Sequence, residues 1–457
     1  MSVEIGITHI LVLLIFIAVL AILVTEKIDK TALALIGATA VGVILFIFPQ
    51  TITDPFDSTK TIKLTITVVI RTVPWSTIMF IFSMMMVVAM SARSGMFQWL
   101  AVKAIQITKG HPQTLYFAFI ILTFFVSFFF DTVTTMLILA PLTIEIMKVL
   151  NQDFRPYLIA EAIVANFASI PSLIGSVPNI VIGNEAQVNF LEFLIVLGPL
   201  TLIFLVTSIP VFMFFHKGIL KQQQEVSDID MRIFLLDASL VIKQEQTFRV
   251  AILGLVILVV GFTVGQAFGM GPVLTAMLAM TFLIIETRDS IGETLKEVQW
   301  GTIFFIVGLL IIVQAIEELG LIELTANTLE PIIADFPAFS GVLMIMVAGI
   351  SSGVVDNIPI SAALAPIATA LGIAVPHIDG KYLAMGLIVG VNVGGYLTPI
   401  ASPANILALS YSEKEHTPIS FIEFAKIGTT LSILHLIIAS LYFLLFDQFI
   451  TSLLNIL

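Results

Sequence analysis

Long apolar stretches alternate with short polar connections along the whole chain, and they are of two kinds. Ten run nearly without charge over the roughly 20 residues that a helix needs to cross a bilayer. They lie near 7–24, 31–49, 74–105, 156–183, 192–216, 249–268, 271–287, 299–325, 381–411 and 420–450. Two further stretches, TLYFAFIILTFFVSFFFDTVTTMLILAPLTIEIM and FSGVLMIMVAGISSGVVDNIPISAALAPIATAL, carry an acid near the middle, Asp131 and Asp356. Read as single crossings they would put those acids in hydrocarbon, so each is expected to be a re-entrant hairpin of two half-helices. Two ordinary crossings joined by a short loop are the alternative. The fold class predicted is an all-α polytopic membrane protein with about ten transmembrane helices and two re-entrant hairpins.

Charge orients this layout. The first stretch follows Glu4 and precedes Lys27 and Lys30, the reverse of a cleavable signal, so it is read as a retained span whose N-terminus faces outward. Fourteen Lys and Arg fall on the side reached after odd-numbered spans, against Lys60, Lys63, Arg71 and Lys381 on the other. By the positive-inside rule both termini lie outside a plasma (inner) membrane. Residues 217–248 form a polar linker between a first half, 1–216, and a second, 249–457, each with five spans and one hairpin.

The halves resemble one another. Trp75-Ser-Thr-Ile matches Trp300-Gly-Thr-Ile, Gly95 matches Gly320, Asp131 matches Asp356 and Pro141 matches Pro366, all at an offset of 225. After one inserted residue, NFASIPSLIGSVPN from Asn166 to Asn179 lies over NVGGYLTPIASPAN from Asn392 to Asn405. An odd number of crossings inserts the second copy upside down, which is the inverted-repeat signature of secondary transporters.

The repeated motifs supply the candidate chemistry. Ser169–Asn179 and Gly395–Asn405 place Gly, Pro, Ser, Thr and Asn at the centre of apolar spans, where the helix is expected to unwind. Unwound carbonyls suit a cation, and the N–H groups of the following half-helix suit an anion. The competing interpretation is a proline kink with small-residue packing of the Gly-x-x-x-Gly type. The candidate substrate site comprises Asn166, Ser169, Ser172, Ser176, Asn179, Asn392, Gly395, Thr398, Ser402 and Asn405. Asp131 and Asp356 are candidate proton carriers or cation ligands, and the metal ligands if sodium is bound, because burial penalises the charged form. Capping of the following half-helix is an alternative or additional role. Thr132, Thr134, Thr135, Asn357 and Ser361 add neutral groups nearby. Glu161, five residues before Asn166, fits a proton relay or a polar entrance residue. Arg93 and Glu318 are equivalent in the repeat, but inversion should send them to opposite faces.

Composition narrows the function. With 58% hydrophobic and 11% charged residues the chain is no ordinary soluble enzyme. A net charge of −11 without a basic cluster argues against a nucleic-acid partner. There is no cysteine, the six histidines lack metal-ligand spacing, and no Walker A pattern, kinase set or nucleophile elbow occurs. No cofactor, no catalytic constellation and no ATP-driven step are expected. The 17 methionines, as in MFIFSMMMVVAM, read as packing or lipid-facing filler.

FFFDTVTTMLILAPLTIEI, LIAEAIVANFASIPSLIGSVPNIVI and SGVVDNIPISAALAPI resemble the P protein family of the ion transporter superfamily, whose other branches include arsenite efflux pumps and citrate-transporter-like proteins. GVNVGGYLTPIASPANILAL is similar to the equivalent stretch of the arsenite pumps, and DNIP with its flanks to a sodium/proton antiporter family. The resemblance covers nearly the whole chain and is closest to the P protein family. It implies two inverted repeats, each with a re-entrant hairpin and a broken helix. It also implies a homodimer held by a scaffold subdomain while a transport subdomain moves. In the dicarboxylate branch the hairpin tips carry Ser-Asn-Thr; here they are Asp131-Thr132 and Asp356-Asn357, and two fixed acids repel a dianion unless protonated. The P protein pattern has Asn where this chain has Thr132. The expected function is a secondary active transporter of a small ion or inorganic anion, coupled to protons, with lipid as its surroundings. A sodium/proton antiporter or an uncoupled anion pathway is the alternative.

Overall fold

A computed structural model describes residues 5–25, 27–109, 111–223, 245–287, 291–375 and 378–456. Residues 224–244, most of the polar linker, lie outside the described residues, as do Arg288 and His377. The chain begins with α1 (Ile7–Leu23) and α2 (Lys30–Ile47). Asp29 caps the latter by accepting from the Ala32 N–H at 2.9 Å. A two-stranded hairpin follows, β1 (Thr51–Asp54) and β2 (Asp57–Lys63), with Ile52 opposite Ile62. It corrects the all-α expectation. Thr alternates with Ile in β1 and with Lys and Ile in β2, a composition that suits a pleated surface. Asp54 accepts from the Phe56 N–H at 2.9 Å in the turn.

The first half continues with α3 (Ile66–Thr72), α4 (Trp75–Arg93), α5 (Met96–Thr108), α6 (Pro112–Phe129), α7 (Thr132–Val149), α8 (Arg155–Ala168), α9 (Val177–Glu185) and α10 (Phe190–Gln223). The second comprises α11 (Glu245–Thr263), α12 (Pro272–Thr287), α13 (Ile291–Glu297), α14 (Trp300–Glu318), α15 (Leu321–Asp335), α16 (Ser340–Ser352), α17 (Asn357–Ala374), α18 (Gly380–Gly394), α19 (Pro403–Lys414) and α20 (Phe421–Ile456). Thus α3, α4 and α7 recur as α13, α14 and α17 with the same limits at the 225-residue offset. Side-chain details recur as well: the Trp75 indole donates to Ile70 O at 3.0 Å and the Trp300 indole to Leu295 O at 2.9 Å. The halves interlock, α2 packing on α14 and α12 on α4.

Two expected spans are each two helices. The stretch 74–105 turns at Gly95 (φ 82°) between α4 and α5, and 299–325 turns at Gly320 (φ 71°) between α14 and α15. A left-handed residue is cheap only for glycine, so both helices stop there. Among the described residues nine helices are long and apolar enough to cross a membrane: α2, α4, α6, α7, α10, α11, α14, α17 and α20. The count differs from ten because α6, α7 and α17, assigned from sequence to hairpin arms, reach that length, whereas α1, α8, α12 and α18 fall short of it. At about 1.5 Å per residue an 18-residue arm extends about 27 Å.

Exposed apolar residues form stripes at helical spacing, such as Leu202 and Val206 on α10, Val256 and Val260 on α11, and Ile433, Ile437 and Leu441 on α20. Such faces suit lipid. The interior around the breaks is closely packed. Gly386, Gly390 and Gly394 of α18 bring its backbone against α16, and a Cβ on Gly390 would stand 2.6 Å from Ile345 O. The Gly-x-x-x-Gly packing considered from sequence is therefore present beside the break in the same helix.

Candidate functional site: two broken helices bridged by asparagines

Helix α8 ends at Ala168 and α9 begins at Val177; α18 ends at Gly394 and α19 begins at Pro403. Between them the chain is non-helical, and Pro178 and Pro403 open the following helices, where a missing N–H costs nothing. Each break is laced by an asparagine side chain. Asn179 Nδ2 donates to Ser169 O and Ser172 O, both at 2.8 Å. Its counterpart Asn405 donates to Gly395 O at 2.8 Å and Thr398 O at 3.0 Å. These carbonyls have lost the partner four residues on that a continuous helix supplies, and the side-chain amides add a bond to the turn contacts that Ser169, Ser172 and Thr398 keep.

The two breaks also bond to each other. Asn392 Nδ2 donates to Asn179 Oδ1 at 2.7 Å, and Asn166 Nδ2 donates to Asn405 Oδ1 at 3.2 Å. Ser169 Oγ adds a 3.3 Å bond to Asn392 Oδ1. Gly395 lets the chains approach, because a Cβ there would lie 2.9 Å from Asn166 Oδ1. Ten sequence-predicted residues thus collect at one crossover, with Ser176 accepting from the Asn179 N–H at 3.4 Å and Thr398 Oγ1 donating to Gly353 O at 2.9 Å. Three polar atoms at this crossover, Asn166 Oδ1, Ser172 Oγ and Ser402 Oγ, are buried and have no hydrogen-bond partner. Buried polar groups are normally paired, so these atoms mark a place built to meet something else.

The hairpin tips flank the crossover. Asp131 caps α7, accepting from the N–H groups of Val133 and Thr134 at 3.1 Å each and from the Thr134 hydroxyl. Asp356 caps α17 through the Ile358 N–H at 3.1 Å and meets Lys30 Nζ at 3.5 Å. Thr132 and Asn357 are buried in the first turns of α7 and α17, and Thr135 Oγ1 reaches Phe130 O at 3.5 Å. The tips are tied to the broken helices by matching bonds: Ser127 Oγ donates to Ala165 O at 2.7 Å, and Ser352 Oγ to Val391 O at 2.8 Å.

Two cavities reach the crossover region from different elements. One, of about 520 Å³, runs from Lys30 and Gln299 past Val133 and Asp356 to Ile400, Pro403 and Ile406. The other, of about 220 Å³, is lined by Thr77, Leu173, Ile180 and the start of α12. The repeat counterpart of the first is a third cavity, of about 20 Å³, in which Phe129, Asp131, Ile174, Val177 and Ile180 take the places of Val354, Asp356, Ile400, Pro403 and Ile406. These two counterparts are of unequal size, about 520 and 20 Å³.

Several groups escaped sequence reasoning. Lys30 was counted only as a topological charge, yet it pairs with an acid 326 residues away. Glu161 is fully buried rather than at an entrance, with Thr143 Oγ1 donating to Oε1 at 2.6 Å. His435 is buried behind the second break, where the Tyr396 hydroxyl meets its Nδ1 at 2.6 Å and its ring stacks on Phe204 at 4.3 Å. A histidine flanked by apolar residues carries no sequence signal for this. Arg93 pairs with Glu297, and not with Glu318.

Comparison with known proteins gives these features a setting. An uncharacterized transporter of Mycobacterium tuberculosis is 28% identical over 94% of this chain and 96% of its own length. One from Synechocystis is 25% identical over 95% and 97%. The P protein of the mouse is 24% identical over 93% of this chain and 59% of its own length. The fold is similar to that of the YdaH transporter of Alcanivorax borkumensis, with a TM-score of 0.53 at 11% identity over 97% of this chain and 99% of that one. Residues 20–380 match the family described as Citrate transporter, CitMHS. A match running from α1 to the start of α18 makes the conclusion plain: the chain belongs to the citrate transporter family and is a multi-pass membrane transporter.

Proposed function

We propose that the protein is a secondary active transporter that carries a small inorganic anion by alternating access, with protons as the coupling ion. The single observation that carries this reading is the pair of asparagine bonds, Asn392 to Asn179 and Asn166 to Asn405, that join two matching helix breaks at a buried crossover. The starts of α9 and α19 offer N–H groups and positive dipole ends to an anion. The unpartnered Ser172 and Ser402 hydroxyls can donate to it. Asn166, Ser169, Ser176, Gly395 and Thr398 complete the lining, and Asp131 and Asp356 take up the coupling proton.

Alternating access is supported by what differs between equivalent parts. The cavity at Lys30 and Asp356 has about 520 Å³, and its counterpart at Asp131 and Ile174 about 20 Å³. Lys381, at the start of α18, binds buried Glu192 at 2.5 Å. Its counterpart Arg155, at the start of α8, instead binds Asp153 at 2.6 Å while Glu423 stands near enough to act on its charge. One bridge between halves is made and the other is not. In this reading residues 1–216 and 249–457 are the repeats, the larger cavity opens to the cytoplasm, both termini lie outside the plasma membrane, and two copies form a dimer.

The test is flux in proteoliposomes under an imposed pH gradient, with arsenite, silicate, phosphate, chloride, sodium and citrate as probes. Citrate is included because it names the family. One anion should be driven by the gradient, and Asp131→Asn and Asp356→Asn should each abolish that drive. Full retention by both variants rejects the proton-carrier role, and sodium-induced proton release without anion flux would favour sodium/proton antiport.

A further inference from the structure

Glu161 sits on α8 between the helix start at Arg155 and the crossover at Asn166, and none of its surface is exposed. Its Oε1 accepts from Thr143 at 2.6 Å, and its Oε2 has no partner. The titratable groups close enough to act on it are Tyr157 on its own helix and Tyr116 on α6. Behind Tyr116 stands His216 of α10, 2.7 Å from its hydroxyl. The charged residues of α7 and α19 lie toward the helix ends, Glu145, Glu413 and Lys414 exposed and Lys148 paired with Glu415. Lys381 of α18 is engaged with Glu192. No cation among the described residues is paired with Glu161.

The duplication shows that packing does not require this acid. The equivalents of Thr143 and Glu161 in the second half are Ala368 and Leu387, both fully buried between α17 and α18. One half closes the same helix contact with two apolar side chains; the other spends a carboxyl there with an oxygen left unbonded. A desolvated carboxylate without a counter-charge is costly, and the neutral acid is the form that such a place holds.

We propose that Glu161 is a proton-binding site of the transport cycle: Oε2 takes a proton from water on one side of the membrane and returns it to water on the other. The inference rests on the proton-coupled reading above and adds a carrier to it. Asp131 is held by the cap of α7 and Asp356 is paired with Lys30, whereas Glu161 has an oxygen free. The carboxyl goes from neutral to anionic when the proton leaves, so each cycle moves one positive charge through this point.

The probe is the proton itself. Infrared difference spectra of the full chain in liposomes, stepped in pH, should show a carboxylic C=O band that moves on carbon-13 labelling of glutamate. Glu161→Gln should remove that band and abolish the response of transport to a pH gradient. The double variant T143A/E161L, which copies the second half, should fold with unchanged or higher thermal stability and lack the band. Persistence of the band in both variants, or a wild-type pH profile in Glu161→Gln, overturns the proposal. If wild-type flux ignores the pH gradient, proton coupling itself fails, while the band still decides whether Glu161 binds a proton.

Discussion

Replacing Asn392 by alanine removes the Nδ2 that donates to Asn179 Oδ1 at 2.7 Å and the Oδ1 that accepts from Ser169 at 3.3 Å. Ser169 keeps its bond to Asn166 O at 2.7 Å, but Asn179 Oδ1 loses its donor inside a residue with no exposed surface. An orphaned buried acceptor costs about 1–3 kcal/mol. Asn179→Ala costs a similar amount, about 1–3 kcal/mol, because the Ser169 and Ser172 carbonyls lose the amide that lies 2.8 Å from each but keep the N–H groups of Ser172 at 3.2 Å and Gly175 at 3.3 Å. The two variants share one bond, so the double variant should be less damaged than the sum by about 1–2 kcal/mol. The repeat-equivalent pair Asn166 and Asn405 should give a similar coupling, and the mismatched pair Asn392 and Asn405 one within about 0.5 kcal/mol of zero. The assay is reversible unfolding of the purified chain in mixed micelles, titrated with a denaturing detergent and followed by tryptophan fluorescence. Additivity in both matched pairs would refute the claim that these asparagines join the halves.

Three shorter predictions probe the surroundings. Gly390→Val should destabilise by at least about 1–3 kcal/mol through overpacking, since its Cβ would stand 2.6 Å from Ile345 O, whereas Gly218→Ala, with nothing within 4 Å, should be neutral or gain up to about 1 kcal/mol; thermal melts distinguish them. His435→Phe keeps a ring against Phe204 but leaves the buried Tyr396 hydroxyl without its partner. It should lower stability by about 1–3 kcal/mol, and recovery by Tyr396→Phe in the same chain would identify the hydrogen bond as the cause. In the solvent-exposed hairpin, the Lys60 ammonium and the Thr59 hydroxyl and N–H hold the Asp57 carboxyl below its ordinary 3.8. A depressed folded value stabilises above the unfolded one and is lost as pH falls through the folded one. Carboxyl chemical shifts should therefore titrate below 3.8 in the folded chain, and Lys60→Ala should move the midpoint upward.

Residue type made part of this structure legible. Asn, Ser, Gly and Pro in the middle of apolar spans point to helix breaks because proline lacks the N–H that a continuous helix needs and Gly, Asn and Ser favour non-helical backbone. The recurrence of Asn166 and Asn179 as Asn392 and Asn405 points to one site. The offset does not say which asparagine meets which, and the cross-pairing of Asn179 with Asn392 follows only from how the halves interlock. The bends at Gly95 and Gly320 did carry a signal, in the polar residues just before each glycine, Arg93-Ser94 and Glu317-Glu318. The β-hairpin also carried a signal, in Thr alternating with Ile before Asp54-Pro55-Phe56-Asp57 and with Lys and Ile after it. Lys30 and Asp356 meet across 326 residues, beyond any local pattern. Glu161 was legible as an acid in an apolar run, but its full burial depends on α7 supplying Thr143.

The absence of cysteine from the sequence makes one measurement direct. Ser172→Cys and Ser402→Cys, each the sole thiol of its variant and each in a buried, unpartnered position at the crossover, can be challenged with a membrane-impermeant maleimide from either face of the bilayer. If the crossover is the transport site, each thiol should react from both faces when the protein cycles, from one face at a time when it is held still, and more slowly when the transported anion is present. Thiols that react from one face under every condition, with no protection by any anion that the protein carries, would contradict it.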